Sequence, residues 1–215
     1  MGFSLPRLYA IIDPAQMGGR SPFEVCEVLL GAGVRLIQYR DKQASSRALF
    51  ENSRTLAEQI RHAGGVLIVN DRADIARASG AHGVHVGQED LPVDLARQVV
   101  GPEGLAGYST HSLEQLAAAD RSSADYVAYG PVYATRSKEK PDPAVGLEGL
   151  RAARQATRKP LVAIGGITLE TARAVLGAGA DSVAVISSLL RAPDLAAQAR
   201  AFLRVVGEEP VELRD

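Results

Sequence analysis

Cysteine is scarce in this sequence, and neither sign of charge is in excess. Of the 215 residues one is cysteine, and 24 Lys plus Arg stand against 25 Asp plus Glu, for a formal net charge of −1. The lone thiol, Cys26, excludes an internal disulfide. Because it falls within an apolar helical pattern, we expect it to be buried rather than reactive, which suits a reducing compartment. Balanced charge without runs of one sign argues against a nucleic-acid partner, so any anion-binding site must be local.

Long hydrophobic runs are also missing. No apolar stretch approaches the length that spans a membrane, and the opening MGFSLPRLYAIID lacks a basic segment followed by a long apolar one. Pro6 stands where a myristoylation signal needs Ser or Thr. We therefore expect a cytoplasmic protein with no membrane partner. The length suits one domain over residues 1–215, and a homo-oligomer is left open by the sequence.

Short runs rich in β-branched residues recur along the chain, with helical patterns between them. The runs are LYAIID (8–13), VRLIQYR (34–40), VLIVND (66–71), GVHVG (83–87), GLAGYS (104–109), YVAYGPV (126–132), PLVAIGG (160–166) and SVAVISS (182–188). Several are continuously apolar, which is typical of strands covered on both faces in a parallel sheet. Amphipathic stretches such as 46–64 and 168–180 lie between them, the second opening on a Thr N-cap. Eight repeats of strand and helix predict an α/β fold, a (β/α)8 TIM barrel.

An open, doubly wound sheet is the alternative fold, since the number of strands alone does not exclude it. Its usual phosphate-binding fingerprint, G-x-G-x-x-G after the first strand, is absent here. The segment that follows the first strand instead reads DPAQMGGRSP (13–22). The barrel is therefore favoured.

Polar residues follow the strands at the end where a barrel builds its site. Arg40, Lys42 and Lys138 supply fixed positive charge, and Asn70 and Ser109 add neutral donors. Together they suit a diphosphate group. The chain also places acidic residues among these cations.

Asp71 and Asp90 follow strands three and four. Carboxylates beside a diphosphate repel it unless a cation lies between them, and Mg²⁺ commonly uses one or two carboxylates together with phosphate oxygens. The pattern therefore predicts Mg²⁺ as the cofactor.

A second anion site is indicated by IGGIT (164–168) and VISSL (185–189). Glycine allows backbone N–H groups to approach a phosphate, and the loops after strands seven and eight are the usual phosphate site of this fold. Thr135 and Ser137 could add hydroxyl donors.

Each of these features also has an ordinary structural interpretation. A Gly-Gly pair after a strand is often only a turn, and Asn-Asp at a strand end is often a helix cap. Arg40 and Lys42 could pair with nearby carboxylates on the surface. His82 and His85 flank strand four without metal-ligand spacing, so we interpret them as packing or solvated residues rather than zinc ligands. The coincidence of polar residues at six strand ends favours a site.

Seven short motifs, in order and spacing, resemble the thiamine-phosphate synthases over about residues 8 to 190. They are QYRDK (38–42), NDR (70–72), GVHVGQED (83–90), STH (109–111), GPVYATRSK (130–138), IGGI (164–167) and VISS (185–188). The resemblance implies a transferase that joins hydroxymethylpyrimidine diphosphate to thiazole phosphate, releasing pyrophosphate with the help of Mg²⁺. It implies no protein nucleophile, and none is evident.

The resemblance also assigns residues. It implies that the pyrimidine diphosphate is held by Gln38, Arg40, Lys42, Asn70, Ser109 and Lys138, with Tyr39 and Asp41 in the same segment. Arg40, Lys42, Ser109 and Lys138 are the candidate catalytic residues, and Asp71 and Asp90 the candidate metal ligands. The thiazole phosphate would be lined by Thr135, Arg136, Ser137, Gly166, Ile186 and Ser187. Ser137 and Tyr39 depart from the family's usual Thr and Leu.

Two rival functions remain open at this stage. The related thiazole tautomerases share the barrel but carry a histidine where this chain has Pro131. A non-catalytic phosphate-binding barrel would need only the second anion site, and the carboxylate pair argues against it. If the chain is a synthase, we expect residues 133–145 to form a mobile lid that excludes water from a reactive cation.

Overall fold

The computed structural model of the chain describes residues 5–135 and 142–209. Within these residues eight parallel strands close into a barrel in chain order. The strands are β1 Leu8–Ile12, β2 Leu36–Tyr39, β3 Val66–Asn70, β4 Gly83–Val86, β5 Leu105–Thr110, β6 Tyr126–Tyr129, β7 Leu161–Ala163 and β8 Ser182–Val185. The barrel closes where β1 pairs with β8, Leu8 lying opposite Val183. The predicted (β/α)8 barrel is confirmed, and the alternative of an open sheet is wrong.

Helices surround the barrel. They are α1 Pro22–Ala32, α2 Ser46–His62, α3 Ala73–Ser79, α4 Val93–Val100, α5 Leu113–Asp120, α6 Gly146–Ala156, α7 Leu169–Gly177, α8 Ser187–Leu190 and α9 Leu195–Val206. Side-chain caps mark where two of these helices begin. The side chain of Ser45 caps α2, and Thr168 and Thr171 form a capping box at α7. The stretches 46–64 and 168–180 are helical as predicted, and α7 ends at Gly177, two residues before Gly179 turns with a φ of +109°.

Two hydrophobic cores result from the alternation of side chains along each strand. Outward residues pack against the helices, and inward residues fill the barrel. The inward group consists of Tyr9, Ile11, Leu36, Ile68, Tyr126, Ala128, Val162 and Ala184. Ala128 and Ala184 lie toward the carboxyl ends of their strands, and such small side chains leave the barrel open there. The fold therefore has space at one end.

The burial of Cys26 and the character of the helices bear on two further predictions. Cys26 is fully buried, and burial raises the pKa of its thiol to about 12, so it is a packing residue as predicted. Among the described residues there is no helix with the length and apolar character needed to cross a membrane.

Candidate active site

A cleft of about 580 Å³ opens at the carboxyl ends of the strands. Its polar lining includes Gln38, Arg40, Asn70, His85, Ser109, His111, Thr135, Ser187 and Arg191. A larger and more open depression of about 1130 Å³ lies at the opposite end of the barrel, beside Arg7, Pro160 and Asp181, which precede β1, β7 and β8. In this fold the carboxyl ends of the strands build the active site, so the smaller cleft is the candidate.

Strand periodicity explains why several predicted residues meet in the cleft. Gln38 stands two positions after inward Leu36, Asn70 two after inward Ile68, and Ser109 two after Gly107. Because successive side chains point to opposite faces, each of these polar groups points into the barrel. The structure thus brings Gln38, Asn70 and Ser109 together as the sequence predicted.

Arg40 is held by a carboxylate that sequence reasoning missed. Its guanidinium forms an ion pair with Asp13, whose side chain is 3% exposed while that of Arg40 is 19% exposed. Asp13 follows β1, and its Oδ1 also accepts a hydrogen bond from the N–H of Ala15 at 3.0 Å. The backbone N–H of Arg40 donates to the carbonyl of Ile12 at 2.9 Å. Arg40 is therefore fixed at the cleft edge by a buried partner, and the acidic end of LYAIID was the available signal.

The remaining predicted diphosphate and metal residues form a cluster on the rim, which we call the acidic rim: Lys42, Asp71 and Asp90. The ammonium of Lys42 contacts the carboxylate of Asp71, and Lys42 is 53% exposed. Asp71 adopts a left-handed backbone conformation with a φ of 63°, which is uncommon for a residue other than glycine and is enriched at functional sites. Asp90 accepts a hydrogen bond from the N–H of Gly87 at 2.8 Å. The rim adjoins the cleft without lining it.

Within the acidic rim, the surroundings of Asp71 change the pKa of its carboxyl group. Burial raises the pKa of Asp71, the hydrogen bond from Lys42 lowers it, and the neighbouring carboxyl of Asp90 raises it again, with a net rise. A pair of carboxylates that repel one another, with a lysine as counter-charge, is a suitable place for a divalent cation bound through two carboxylates and substrate oxygens. The described residues contain no cluster of three or more His, Cys, Asp or Glu side chains for a metal.

Tyr39 and Asp41 have a different placement from the rest of their motif. The Tyr39 side chain points outward, where its hydroxyl donates to Asp41 at 3.2 Å and accepts from Asn52 at 2.9 Å. Asp41 in turn accepts from the N–H groups of Gln43 and Ala44, at 3.1 and 3.0 Å. Neither side chain lines the cleft. Together they order the loop that carries Lys42.

The predicted second anion site lies on the opposite side of the cleft, where Thr135, Gly166, Ile186 and Ser187 line it together. Gly166 has a φ of 67°, and a β-carbon there would approach the carbonyl oxygen of Ala134 to 2.6 Å, so glycine is required. Backbone atoms therefore come close to the cleft at this turn.

Arg191, at the end of α8, also lines the cleft and donates to the Gln16 side chain at 2.7 Å. Sequence reasoning missed this arginine because its charge lies six residues beyond β8.

His85 was expected to have a packing or solvated role, and the structure places it inside the barrel. It is buried, yet its Nε2 lies 2.8 Å from Ser109 Oγ and its Nδ1 lies 3.1 Å from the hydroxyl of Tyr126. The inward position in the alternating pattern of GVHVG was the signal that could have shown this.

His111 and Pro131 lie on the same wall of the cleft. The Nδ1 of His111 lies 2.6 Å from the carbonyl oxygen of Gly130, so it must donate there, since a carbonyl only accepts. Pro131 packs in the position that a β-carbon on Gly165 would need, 2.3 Å from it. Arg136, Ser137 and Lys138, together with the central part of the expected lid, lie outside the described residues.

Fixed positive charge on one side of the cleft and a glycine turn on the other define a (β/α)8-barrel enzyme that acts on phosphorylated compounds. Residues 8–189 match the family model described as thiamine monophosphate synthase, and the chain belongs to that family. Its enzymes are transferases.

Individual relatives agree with the family assignment. The chain is 50% identical to the thiamine-phosphate synthase of Koribacter versatilis, with 95% of this chain and 98% of that protein covered. It is 45% identical to the thiamine-phosphate synthase of Chloroflexus aurantiacus, with 93% and 92% covered. Among solved structures, it resembles the thiamine phosphate pyrophosphorylase of Pyrococcus furiosus, with a TM-score of 0.85, 34% identity, and 94% and 95% of the two chains covered.

Proposed function

We propose that this cleft joins hydroxymethylpyrimidine diphosphate to thiazole phosphate, forming thiamine phosphate and releasing pyrophosphate. Thiamine-phosphate synthesis follows from the family to which the chain belongs. The observation that supports this assignment is that residues suited to bind anions lie on two sides of one cleft. Gln38, Arg40 and Asn70 stand on one side, and the turn at Gly166 and Ser187 on the other. Two phosphorylated substrates need such an arrangement, whereas one does not.

On the first side, Arg40, Lys42, Asn70 and Ser109 receive the diphosphate. Arg40 offers a charged donor already oriented by Asp13, and Ser109 and Asn70 offer neutral donors from strand ends. Gln38 is 3% exposed and holds the pyrimidine ring from below. Lys138, which lies outside the described residues, completes this group in our proposal.

Asp71 and Asp90 would hold Mg²⁺ at the acidic rim. Burial and the neighbouring Asp90 carboxyl raise the pKa of Asp71 despite its contact with Lys42, and a bound cation would relieve this repulsion, which supports the assignment. When bound, Mg²⁺ supplies positive charge to the oxygens of the diphosphate.

On the second side, Thr135, Gly166, Ile186 and Ser187 receive the thiazole phosphate, the last three largely through the backbone. Arg136 and Ser137 are assigned to the same group and lie outside the described residues. Holding this phosphate fixes the thiazole ring, so its nitrogen faces the pyrimidine methylene.

The reaction needs one bond to break and one to form. The bond between the methylene carbon and the diphosphate oxygen breaks, and its electron pair leaves with pyrophosphate. Arg40, Lys42 and Lys138 stabilise that growing negative charge, while the aminopyrimidine itself stabilises the cation. The thiazole nitrogen then donates its lone pair to the methylene carbon, so no proton transfer and no protein nucleophile is required. Apolar Ile11, Val162 and Ile164 line the cleft and help to exclude water.

Of the rival functions, the thiazole tautomerase is not favoured. Position 131 is a proline that packs against Gly165 and carries no titratable group, and the relatives are synthases. A non-catalytic phosphate binder has no use for the paired carboxylates of the acidic rim. In our proposal the enzyme works in the cytoplasm on these small-molecule substrates.

The direct test is to mix the purified protein with both substrates and Mg²⁺ and to measure thiamine phosphate and pyrophosphate by chromatography. We expect the two products in equal amounts, and none when either substrate is omitted. Arg40→Ala should lose most of the activity, whereas Arg47→Ala, on the exposed face of α2, should not. Absence of thiamine phosphate with the folded wild-type protein would contradict the proposal.

A further inference from the structure

A chain of buried hydrogen bonds crosses the barrel at the floor of the cleft, and we call it the barrel chain. Gln38 Nε2 donates to the hydroxyl of Tyr9 at 2.9 Å, and that hydroxyl lies 2.9 Å from the hydroxyl of Tyr126. Tyr126 continues to His85 Nδ1 at 3.1 Å, and His85 Nε2 reaches Ser109 Oγ at 2.8 Å. The chain connects β2, β1, β6, β4 and β5 in that order. Both of its ends, Gln38 and Ser109, line the cleft.

Packing holds the middle of the barrel chain in one arrangement. The rings of Tyr9 and Tyr126 meet edge to face at 6.1 Å, and His85 stacks on Tyr126 at 5.5 Å. Gly107 makes room for this stack, because a β-carbon there would lie 2.2 Å from Tyr126 Cζ and 2.4 Å from His85 Nδ1. All of these side chains except Ser109 are buried. The hydrogen bonds are therefore not exchanged freely with water.

Each hydroxyl in the barrel chain has a single proton to donate. Burial raises the pKa of Tyr9 and of Tyr126, so both remain neutral phenols at working pH. Tyr9 accepts from Gln38 and so has its own proton available to donate to Tyr126; Tyr126, accepting from Tyr9, then has its proton available for His85 Nδ1. A neutral imidazole that accepts at Nδ1 carries its proton on Nε2. In this arrangement every donor points from Gln38 toward Ser109.

We propose that the barrel chain fixes the hydrogen-bonding polarity of the active site, with Tyr9 and Tyr126 as positioning residues. His85 Nε2–H donates to Ser109, which leaves the Ser109 proton free to donate into the cleft. At the other end the Gln38 side-chain amide donates an N–H to Tyr9, which leaves its side-chain carbonyl oxygen as an acceptor facing the cleft. The proposal rests on the proposed function, since it requires a substrate that presents an amino group at Gln38 and an anionic oxygen at Ser109.

The opposite polarity would suit the substrate poorly. If the chain ran from Ser109 toward Gln38, Ser109 would offer only lone pairs to a diphosphate, and Gln38 would offer N–H groups to an amino group. An acceptor would then face an acceptor at Ser109, and a donor would face a donor at Gln38. Among the described residues no group donates a hydrogen bond to the side-chain carbonyl oxygen of Gln38, which agrees with a role for that oxygen as an acceptor for the substrate.

The protonation of His85 tests the polarity without any measurement of activity. Long-range ¹H–¹⁵N spectra at mildly alkaline pH distinguish the two neutral forms of imidazole, and the His85→Gln variant identifies the signal among the four histidines. We expect the proton on Nε2 in the free enzyme. In Tyr126→Phe, which keeps the ring and removes the donor, we expect a mixture of both forms. A proton on Nδ1 in the wild-type protein would overturn the proposal.

A comparison of inhibitor affinities between wild-type enzyme and variants tests the Gln38 end of the barrel chain. The hydroxymethyl aminopyrimidine and its analogue lacking the amino group are compared as competitive inhibitors, so that no bond is broken. Wild-type enzyme should prefer the amino compound by roughly tenfold, the scale of one well-formed hydrogen bond. Tyr9→Phe frees the Gln38 amide to turn, and its preference should fall to about twofold. Tyr108→Phe, on the outward face of β5, is the control and should keep the wild-type preference.

Thiamine phosphate formation and the position of the His85 proton distinguish failure of the proposed function from failure of the barrel-chain polarity. If wild-type protein makes thiamine phosphate and His85 carries its proton on Nδ1, the proposed function stands and the barrel-chain polarity is wrong. If no thiamine phosphate forms and the proton is on Nε2, the polarity stands and the substrate assignment is wrong. An unchanged inhibitor preference in a folded Tyr9→Phe protein would also contradict the proposal.

Discussion

Replacing Asp13 by asparagine tests how much the buried ion pair with Arg40 contributes to the fold and to anion binding. Asparagine keeps an Oδ1 atom that can accept from the N–H of Ala15, so the local turn is preserved. What the substitution removes is the negative charge beside Arg40. The guanidinium then has lost its counter-charge at a place where its side chain is 19% exposed.

The expected cost follows from that exposure. Removing one partner of a fully buried ion pair costs about 3–5 kcal/mol, and an exposed pair is worth at most about 1 kcal/mol. Because Arg40 has partial access to water through the cleft, we expect Asp13→Asn to lower the free energy of unfolding by about 1–3 kcal/mol. For a chain of this size the melting temperature should fall by roughly 3–10 °C.

Thermal unfolding followed by circular dichroism, with and without pyrophosphate, measures both consequences. Pyrophosphate brings negative charge to Arg40, so it should stabilise Asp13→Asn more than the wild-type protein. Glu51→Gln is the control, because it breaks the exposed Arg47–Glu51 pair and should change the melting temperature by no more than about 2 °C. A variant that melts with the wild-type protein, or equal stabilisation of both by pyrophosphate, would refute the reasoning.

Four further predictions concern the cleft and its rim. Asp71→Asn and Asp90→Asn should depress turnover and raise the Mg²⁺ requirement while leaving thiazole phosphate binding nearly intact; wild-type Mg²⁺ dependence in a Mg²⁺ titration would place the metal elsewhere. Because the folded-state pKa of Asp71 is raised, its contribution to metal-free stability is present at low pH and lost as the pH rises through that pKa; thermal unfolding of Asp71→Asn across pH should lack this loss. Ser137→Ala should instead raise the Michaelis constant for thiazole phosphate a few-fold, with little change in Mg²⁺ dependence, as expected for one neutral donor worth about 1 kcal/mol. His111→Asn should keep most activity, since its amide can still donate to the Gly130 carbonyl; a loss beyond about a hundredfold in a folded variant would show a proton-transfer step.

Much of the architecture could be predicted from local sequence. The eight strands and the helices between them could be predicted because apolar periodicity, helix caps and glycines determine the structure of residues close to them in the sequence. In a parallel barrel all strands point the same way, so residues after each strand must meet at one end. That is why Gln38, Arg40, Asn70 and Ser109 were expected together without any knowledge of distances, and why the family motifs could be recognised.

Side-chain direction could also be predicted, although treating QYRDK as one block hid it. Strand alternation sends Gln38 and Arg40 inward and Tyr39 outward. The same alternation places His85 inside the barrel, although the spacing of the histidines alone predicts only a packing or solvated residue. These are consequences of a period of two residues, and they need no tertiary information.

What only the tertiary structure decided is which inward side chains meet. Tyr9 and Tyr126 lie 117 residues apart, on strands that are not neighbours, and their hydroxyls meet at 2.9 Å because the sheet closes on itself. The pairing of Asp13 with Arg40 likewise depends on the register between β1 and β2, in which Ile12 lies opposite Tyr39. Strand register and barrel closure are set by the packing of the whole core, which is why no local pattern in the sequence specifies these contacts.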